Sequence, residues 1–326
     1  MQAIVIEEPG DENVLQIGTA PDPVPGPGQV RIAVAASALN RADLLQRQGM
    51  YPPPPGASPI LGLECSGVVA ELGEGVQQWR VGDRVMALLA GGGYAEQVVV
   101  DAGSCMKVPE NLDLVEAGGL AEVCLTVFLN VFQLGGLEAG GWLLVHGGGS
   151  GIGTAAIQMA REAGARVIVT AGSDEKCARC LELGANVAVN YREADFAEAV
   201  AEATGGAGVD VILDSIGGAY LERNLSSLAL GGRLVLIGLM GGAKAEIPLG
   251  TLLMKRLHVM GSTLRARPEA EKADLARAFV ARFGKALESG ALRPIIHEVL
   301  PLAEAAEGHR RMKASAHFGK ILLKVS

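Results

Sequence analysis

The chain has 326 residues, of which 49% are apolar and 20% charged, and a formal net charge of −8 at pH 7. These values suit a globular protein large enough for two domains and exclude a disordered chain. The acidic balance argues against nucleic acid as a main partner, and no run of about 18 uncharged apolar residues predicts a membrane span.

In chain order, the opening "MQAIVIEEPG" has neither a basic lead nor a long apolar core, so no secretory leader is expected. As far as about residue 120, short β runs such as "AIVIEE", "QVRIAVAAS", "CSGVVAEL", "GDRVMALL" and "YAEQVVV" are separated by Gly and Pro clusters. They predict a compact, mostly antiparallel β domain. One helix is expected near "NRADLLQRQ". In the following "GMYPPPPGASP", four prolines hold the chain extended and leave Tyr51 at the start of a stiff arm. "DLVEAGGLAEVCLTVFLNVFQL" reads as one helix.

From "WLLVHG" to "LHVMGSTL" apolar β runs alternate with helices, "AYLERNLSSLALGG" among them. That alternation predicts a parallel sheet with right-handed crossovers. "RPEAEKADLARAFVARFGKALESG" then reads as one long helix. Arg310, Arg311 and Lys313 read as solvated helix surface. The tail returns to β character at "IIHEVLPL" and "FGKILLKV", and a last strand there could rejoin the first domain. The five cysteines, odd in number and irregularly spaced, suggest reduced thiols and a cytoplasmic setting. Cys177 and Cys180 share a helix face without further metal ligands in sequence reach, and they follow about a turn of helix, which favours a structural pair over zinc or redox work.

The stretch "LLVHGGGSGIGTAAIQ" carries the clearest chemistry. A strand ends in glycines and a helix of small residues follows, which is the form of a dinucleotide turn. Gly148 and Gly153 fit the first and third glycine roles, with Gly149 between Gly148 and Ser150. Ser150 replaces the second glycine and offers a hydroxyl, while Gly151 and Ile152 present N–H groups at the helix start. An NAD-binding fold places an acid near the end of the next strand. Here that end reads Val169, Thr170, Ala171, Gly172, with no acid. Asp174 and Glu175 come later and read as first-turn acids behind an N-cap Ser173. Lys176 stands ready for a 2′-phosphate, so NADPH is expected over NADH. The short-chain dehydrogenase pattern is excluded, because no tyrosine is followed by Lys at Tyr-x-x-x-Lys spacing and the glycine turn lies far from the N-terminus.

A β domain ahead of a central dinucleotide unit, with a C-terminal return, resembles the medium-chain dehydrogenase/reductase superfamily over essentially the whole chain. "AASALNRADLLQRQGMYPPPPGASPILGLECSGVVAELG", "VHGGGSGIGTAAIQ", "NYREADF" and "ILDSIGG" resemble its zinc-free quinone oxidoreductases, in particular the tumour-suppressor-induced animal NADPH quinone reductase branch and more distantly zeta-crystallin. The resemblance implies an α/β protein with a GroES-like, mostly antiparallel β domain (1–120 and 265–326, discontinuous) and a Rossmann doubly wound parallel-sheet domain (121–264). Where zinc members of the superfamily carry a catalytic Cys and the His of Gly-His-Glu, this chain has Asn40 and Leu63, so no metal is expected.

Carried over residue by residue, the resemblance sets Ser150, Gly151 and Ile152 against the pyrophosphate. It sets Gly172, Ser173, Lys176 and Tyr191 around the 2′-phosphate. Asn40, Thr126, Gly238, Leu239, Met240 and Lys320 fall near the nicotinamide end. Tyr51 and Asn40 are the catalytic candidates. The lesser readings are that Tyr191 is an ordinary surface tyrosine, that Lys320 simply ends a strand and that Tyr51 is a packing lid. His146 invites a proton-donor role, but a buried, hydrogen-bonded core histidine is the favoured reading.

The function expected is metal-free, NADPH-dependent reduction of quinones by hydride transfer to a conjugated carbonyl. An alkenal, enone or enoyl-thioester reductase would use the same hydride step. An NADPH-binding structural or sensor protein with incidental activity is the reading from another class. "RLHVMGSTL", as a lightly charged last strand, predicts a homodimer that covers the sheet edge.

Overall fold

The computed structural model describes residues 1–325. The chain divides into two compact units, Met1–Leu125 with Leu264–Ser326, and Thr126–Thr263. The first unit opens with an antiparallel pair, β1 (Gln2–Val5) and β2 (Gln16–Thr19). Strands β3 (Gln29–Ala38), β4 (Glu64–Leu72), β5 (Arg84–Leu88), β6 (Gln97–Asp101) and β7 (Cys105–Lys107) follow, with helix α1 (Arg41–Arg47) between β3 and β4. Alternation along these strands makes one inner face: Val30, Ile32 and Val34 of β3 lie with Val85 and Ala87 of β5 and Val98 and Val100 of β6, all buried.

The segment read as a single helix is broken. Helix α2 (Leu114–Ala117) stops at Gly118, α3 (Ala121–Val127) restarts, and Phe128–Leu134 continues as a π-helix. The physical reason is close packing. A Cβ on Gly118 would stand 3.0 Å from the Cβ of Ala36, and one on Gly119 would stand 2.8 Å from Leu322 Cδ2. The glycines let this turn lie on the sheet, and helix continuity gives way.

The second unit carries β8 (Trp142–His146), α4 (Gly151–Glu162), β9 (Arg166–Ala171), α5 (Asp174–Leu183), β10 (Val187–Asn190), α6 (Phe196–Ala203), β11 (Val209–Asp214), α7 (Leu221–Ser227), β12 (Leu228–Leu236), α8 (Leu249–Lys255) and β13 (His258–Gly261). Its sheet is wholly parallel in the order β10-β9-β8-β11-β12-β13. Leu144, Ile168, Ile212 and Leu234 sit side by side in register and are fully buried, which explains the unbroken apolar runs. The α/β expectation is borne out. The expected helix over "AYLERNLSSLALGG" ends at Ser227, because Leu228 pairs with Val209 and becomes the first residue of β12. Helix α8 had no counterpart in the sequence reading.

The chain then returns to the first unit through α9 (Glu269–Ser289), β14 (Ile296–Pro301), α10 (Ala305–Ala314) and β15 (Lys320–Lys324). Strand β15 lies between β14, to which it is parallel, and β3, to which it is antiparallel. Leu300, Leu302, Ala305, Met312, Ile321 and Leu323 from this return complete a core with Ile4, Leu39, Leu44 and Tyr94. Arg310 and Arg311 on α10 are exposed and pair with Glu307. Among the described residues no helix is long and apolar enough to cross a membrane.

Candidate cofactor turn and reductase site

In the second unit, strand order reverses between β8 and β11, and a crevice at such a reversal takes ligands at the carboxyl ends of the strands. The glycine turn lies there. Gly147 takes the positive φ of 79°, so the tight bend falls one residue before the Gly148 that the sequence assigned to it. Gly148 is needed for packing instead: a Cβ would stand 2.7 Å from Val169 and 3.0 Å from the Cys180 thiol. A Cβ on Gly153 would stand 2.4 Å from the Gly147 carbonyl oxygen, so α4 closes directly onto the turn. Gly149 is buried within it. Ser150 is the N-cap of α4, its Oγ accepting from Gly153 N at 2.9 Å. Gly151 and Ile152 stand half-exposed at the positive end of a helix of 12 residues.

At the end of β9, Ser173 caps α5 by accepting from Lys176 N at 3.3 Å. Asp174 accepts from Asn190 Nδ2 at 2.9 Å, which ties this acid to the end of β10. The Tyr191 hydroxyl stands 2.8 Å from where a Cβ on Gly172 would be, so these two positions adjoin. Lys176 is half-buried; burial lowers its pKa, with Glu175 acting in the opposite sense and Arg192 in the same one. Arg192 is therefore a second cation of this cluster. The sequence reading passed over it, although it stands inside the quoted "NYREADF".

The Gly238–Met240 segment rests on the loop after β11. Met240 N donates to Ser215 O at 3.1 Å, and Leu239 and Met240 are both exposed. Thr126 opens the unit buried in α3, its carbonyl accepting from Asn130 Nδ2 at 2.7 Å. His146 is buried and bonded on both nitrogens, to Thr170 Oγ1 at 3.1 Å and Asn224 Oδ1 at 2.7 Å. Burial holds its pKa down to about 4, against the Asn224 hydrogen bond. It is a neutral core histidine near pH 7 and no proton donor.

In the first unit Asn40 and Lys320 touch. The Lys320 ammonium donates to Asn40 Oδ1 at 2.8 Å and to Leu39 O at 2.9 Å, and it pairs with Glu64 Oε1 at 2.7 Å. Asn40 Nδ2 donates to the same Glu64 oxygen at 3.0 Å. Glu64 Oε2 accepts from Glu122 N at 2.9 Å. The group is buried, and the ion pair within it survives because each charge is also hydrogen-bonded. Lys320 begins β15; it does not end a strand. Glu64 and Asp43 are the residues the sequence reading missed. Asp43 accepts from Asn40 N at 2.7 Å, Gly62 N at 3.2 Å and the Tyr94 hydroxyl at 3.2 Å. Full burial pushes its carboxyl up to about 6 against those donors. Both acids stand in the quoted "NRAD" and "GLEC", but only the fold shows them buried. Leu63 is buried and apolar, and among the described residues no group of three or more His, Cys, Asp or Glu is placed to hold a metal.

Tyr51 is partly exposed. The guanidinium of Arg265 lies 5.2 Å from its ring centre and donates to its carbonyl at 3.3 Å. Arg265 also donates to Ala90 O at 2.8 Å and Gln46 Oε1 at 2.7 Å, so it joins the proline arm to α1 and to the chain beyond β5. Burial raises the Tyr51 phenol pKa, and Arg265 counters it.

A GroES-like β domain with a parallel-sheet Rossmann domain is the architecture of the medium-chain dehydrogenases and reductases, and comparison with known proteins agrees. Residues 151–280 match the family described as zinc-binding dehydrogenase, and residues 26–110 match the alcohol dehydrogenase GroES-like domain. The chain belongs to the medium-chain dehydrogenase/reductase superfamily. A 2-haloacrylate reductase of Burkholderia is 33% identical, over 99% of this chain and 98% of that protein. A mycocerosic acid synthase-like polyketide synthase of Mycobacterium tuberculosis is 34% identical over 98% of this chain. The chain spans only 15% of the length of that synthase. Among solved structures, an NAD-dependent alcohol dehydrogenase (TM-score 0.88, 34% identity) and Escherichia coli quinone oxidoreductase complexed with NADPH (TM-score 0.89, 28% identity) each align over all of both chains.

Proposed function

We propose that this chain is a metal-free, NADPH-dependent reductase of conjugated carbonyls, with quinones as its first substrates. The observation that carries the reading is the cluster at the end of β9. It has Lys176 and Arg192 as cations, Tyr191 against Gly172, and Asp174 already bonded to Asn190. Such a cluster suits a 2′-phosphate better than a bare ribose hydroxyl. Ser150, Gly151 and Ile152 would face the pyrophosphate, with Gly148 and Gly153 letting the turn pack closely and Gly149 within it. Gly238, Leu239, Met240 and Thr126 would border the nicotinamide. NADPH supplies the hydride when bound.

The first unit is taken as catalytic. Negative charge grows on the substrate oxygen during reduction, and the Tyr51 hydroxyl, on its braced arm, would stabilise it. Asn40 and Lys320 form a preorganised polar wall, anchored by Glu64. The finer likeness to the animal NADPH quinone reductases belongs to this proposal. So does a cytoplasmic setting, for which the free cysteines, all buried, give support. A second substrate reading, a conjugated acid or thioester, draws on the 2-haloacrylate reductase and polyketide synthase relatives. Steady-state turnover of one quinone, one enone and one enoyl thioester, each with NADPH and NADH and with a chelator added, decides among them. Quinone turnover with NADPH that survives chelation is expected; turnover restricted to the thioester, or to NADH, would overturn the reading.

A further inference from the structure

The buried polar chain under the crevice of the second unit has a direction. Asn224 Nδ2 donates to Asp214 Oδ2 at 3.1 Å, so Asn224 Oδ1 faces His146 Nε2 at 2.7 Å, and that nitrogen carries the proton. His146 Nδ1 is then the acceptor and receives the Thr170 hydroxyl at 3.1 Å. Thr170 Oγ1 in turn accepts from Gly147 N at 3.3 Å. At the far end Asp214 accepts from Ile216 N at 2.6 Å and Gly217 N at 3.1 Å. The loop so held receives Met240 N on Ser215 O at 3.1 Å and Gly241 N on Ile216 O at 2.6 Å. Phe196 and Tyr220 each meet the His146 ring edge-on at 4.8 Å and fix its plane.

The chain therefore crosses from β9 through β8 and α7 to β11, over the point where strand order reverses. Aligned bonds of this kind reinforce one another in a dry interior. We infer that His146 and Asn224 are positioning residues that fasten the Gly147–Ser150 turn to the Ser215–Gly217 and Gly238–Gly241 loops, so that one buried strut sets the spacing between the pyrophosphate and nicotinamide ends of the dinucleotide. This rests on the dinucleotide reading proposed above and adds to it the means by which two distant loops keep one separation. The turn has its own backbone bonds, Gly147 N and Gly148 N to Thr170 O at 3.1 and 2.8 Å. The loop beyond β11 depends more heavily on the Asp214 side chain. Cutting the strut at Asn224 should thus loosen the nicotinamide end and spare the adenosine end.

The test uses the full chain with Asn224→Leu, which removes both bonds, and Asn224→Asp, which keeps an acceptor for His146 but sets a carboxylate against Asp214. NADPH binding is read by nicotinamide fluorescence and 2′,5′-ADP binding by calorimetry, with circular dichroism as the check on folding. In both variants the NADPH dissociation constant should rise about tenfold or more while that of 2′,5′-ADP stays within about twofold, tenfold being the scale of each buried hydrogen bond lost. If Asn224→Leu does not fold, Asn224→Asp decides alone. Unchanged NADPH binding, or equal loss of both ligands, would overturn the strut. A wild-type protein that binds neither ligand would sink the dinucleotide reading, and this inference with it.

Discussion

At the scale of single residues, the proposed cofactor choice rests on Lys176 and the proposed donor role on Tyr51. A phosphate–lysine contact is a charge-assisted bond worth about 1.5–3 kcal/mol. Lys176→Ala should therefore raise the NADPH constant by about one to two decades and leave NADH nearly unchanged. Initial-rate kinetics with both cofactors check this, and equal weakening would remove Lys176 from the 2′-phosphate. For Tyr51→Phe a loss of about tenfold is expected with a quinone and a larger one with a simple enone, whose oxygen anion needs more help. Unaltered rates on both would leave Tyr51 as a packing ring over Arg265. His146 gives a stability prediction with a definite sign. Its folded pKa lies at about 4, below the usual 6.5. The unfolded chain then binds a proton first, and stability is lost as pH falls from about 6.5 toward about 4. His146→Gln removes that loss. Its deficit against wild type in urea unfolding should shrink by roughly 2 kcal/mol between pH 7.5 and pH 5. A deficit that does not change with pH would mean that His146 is not held neutral. Residue identity was legible in the sequence for Ser150, Gly153 and Asn40, because short motifs carry it. Glu64 and Asp43 were not legible, since an acid in a short motif does not disclose that Lys320, Tyr94 and the backbone will enclose it.

At the scale of elements, the glycine turn and α4 act as one piece. In Gly153→Ala the new Cβ would stand 2.4 Å from Gly147 O and 2.5 Å from Gly148 O, backbone atoms that cannot swing aside. Opening the turn should cost about 1–3 kcal/mol in thermal unfolding. NADPH affinity should fall with it, in a fluorescence titration. A variant that binds normally would show that α4 does not need this close approach. Except for α8, the helices and strands of the second unit were readable because both faces of a parallel sheet are apolar and helical segments alternate with its strands. Boundaries failed where tertiary contact overrode local pattern. Gly118 and Gly119 break a helix to pack on β3 and β15, and Leu228 leaves a helical pattern to pair with β11. Helix α10 lies between the two β runs of the tail, where Arg310, Arg311 and Lys313 had read as helix surface.

At the scale of the molecule, β13 is an edge strand of the second sheet, and the chain leading to it exposes Leu239, Met240, Ile247, Leu249, Leu253 and Met254. Apolar exposure beside an open edge favours pairing with a second copy across a two-fold axis. Sedimentation at micromolar concentration should give a dimer, and Leu253→Glu should shift it toward monomer; a monomeric wild type would discard the proposal. The sequence by itself determined the α/β class, the dinucleotide turn and the absence of an acid at the end of β9, because each depends on residues near one another along the chain. Only the tertiary structure decided that β15 pairs with β3, which brings Lys320 onto Asn40 and Glu64. It alone showed that His146 is locked between Thr170 and Asn224. Pairings of this kind join residues far apart in the chain, and the free energy that selects them comes from burial and mutual hydrogen bonding that no local pattern encodes.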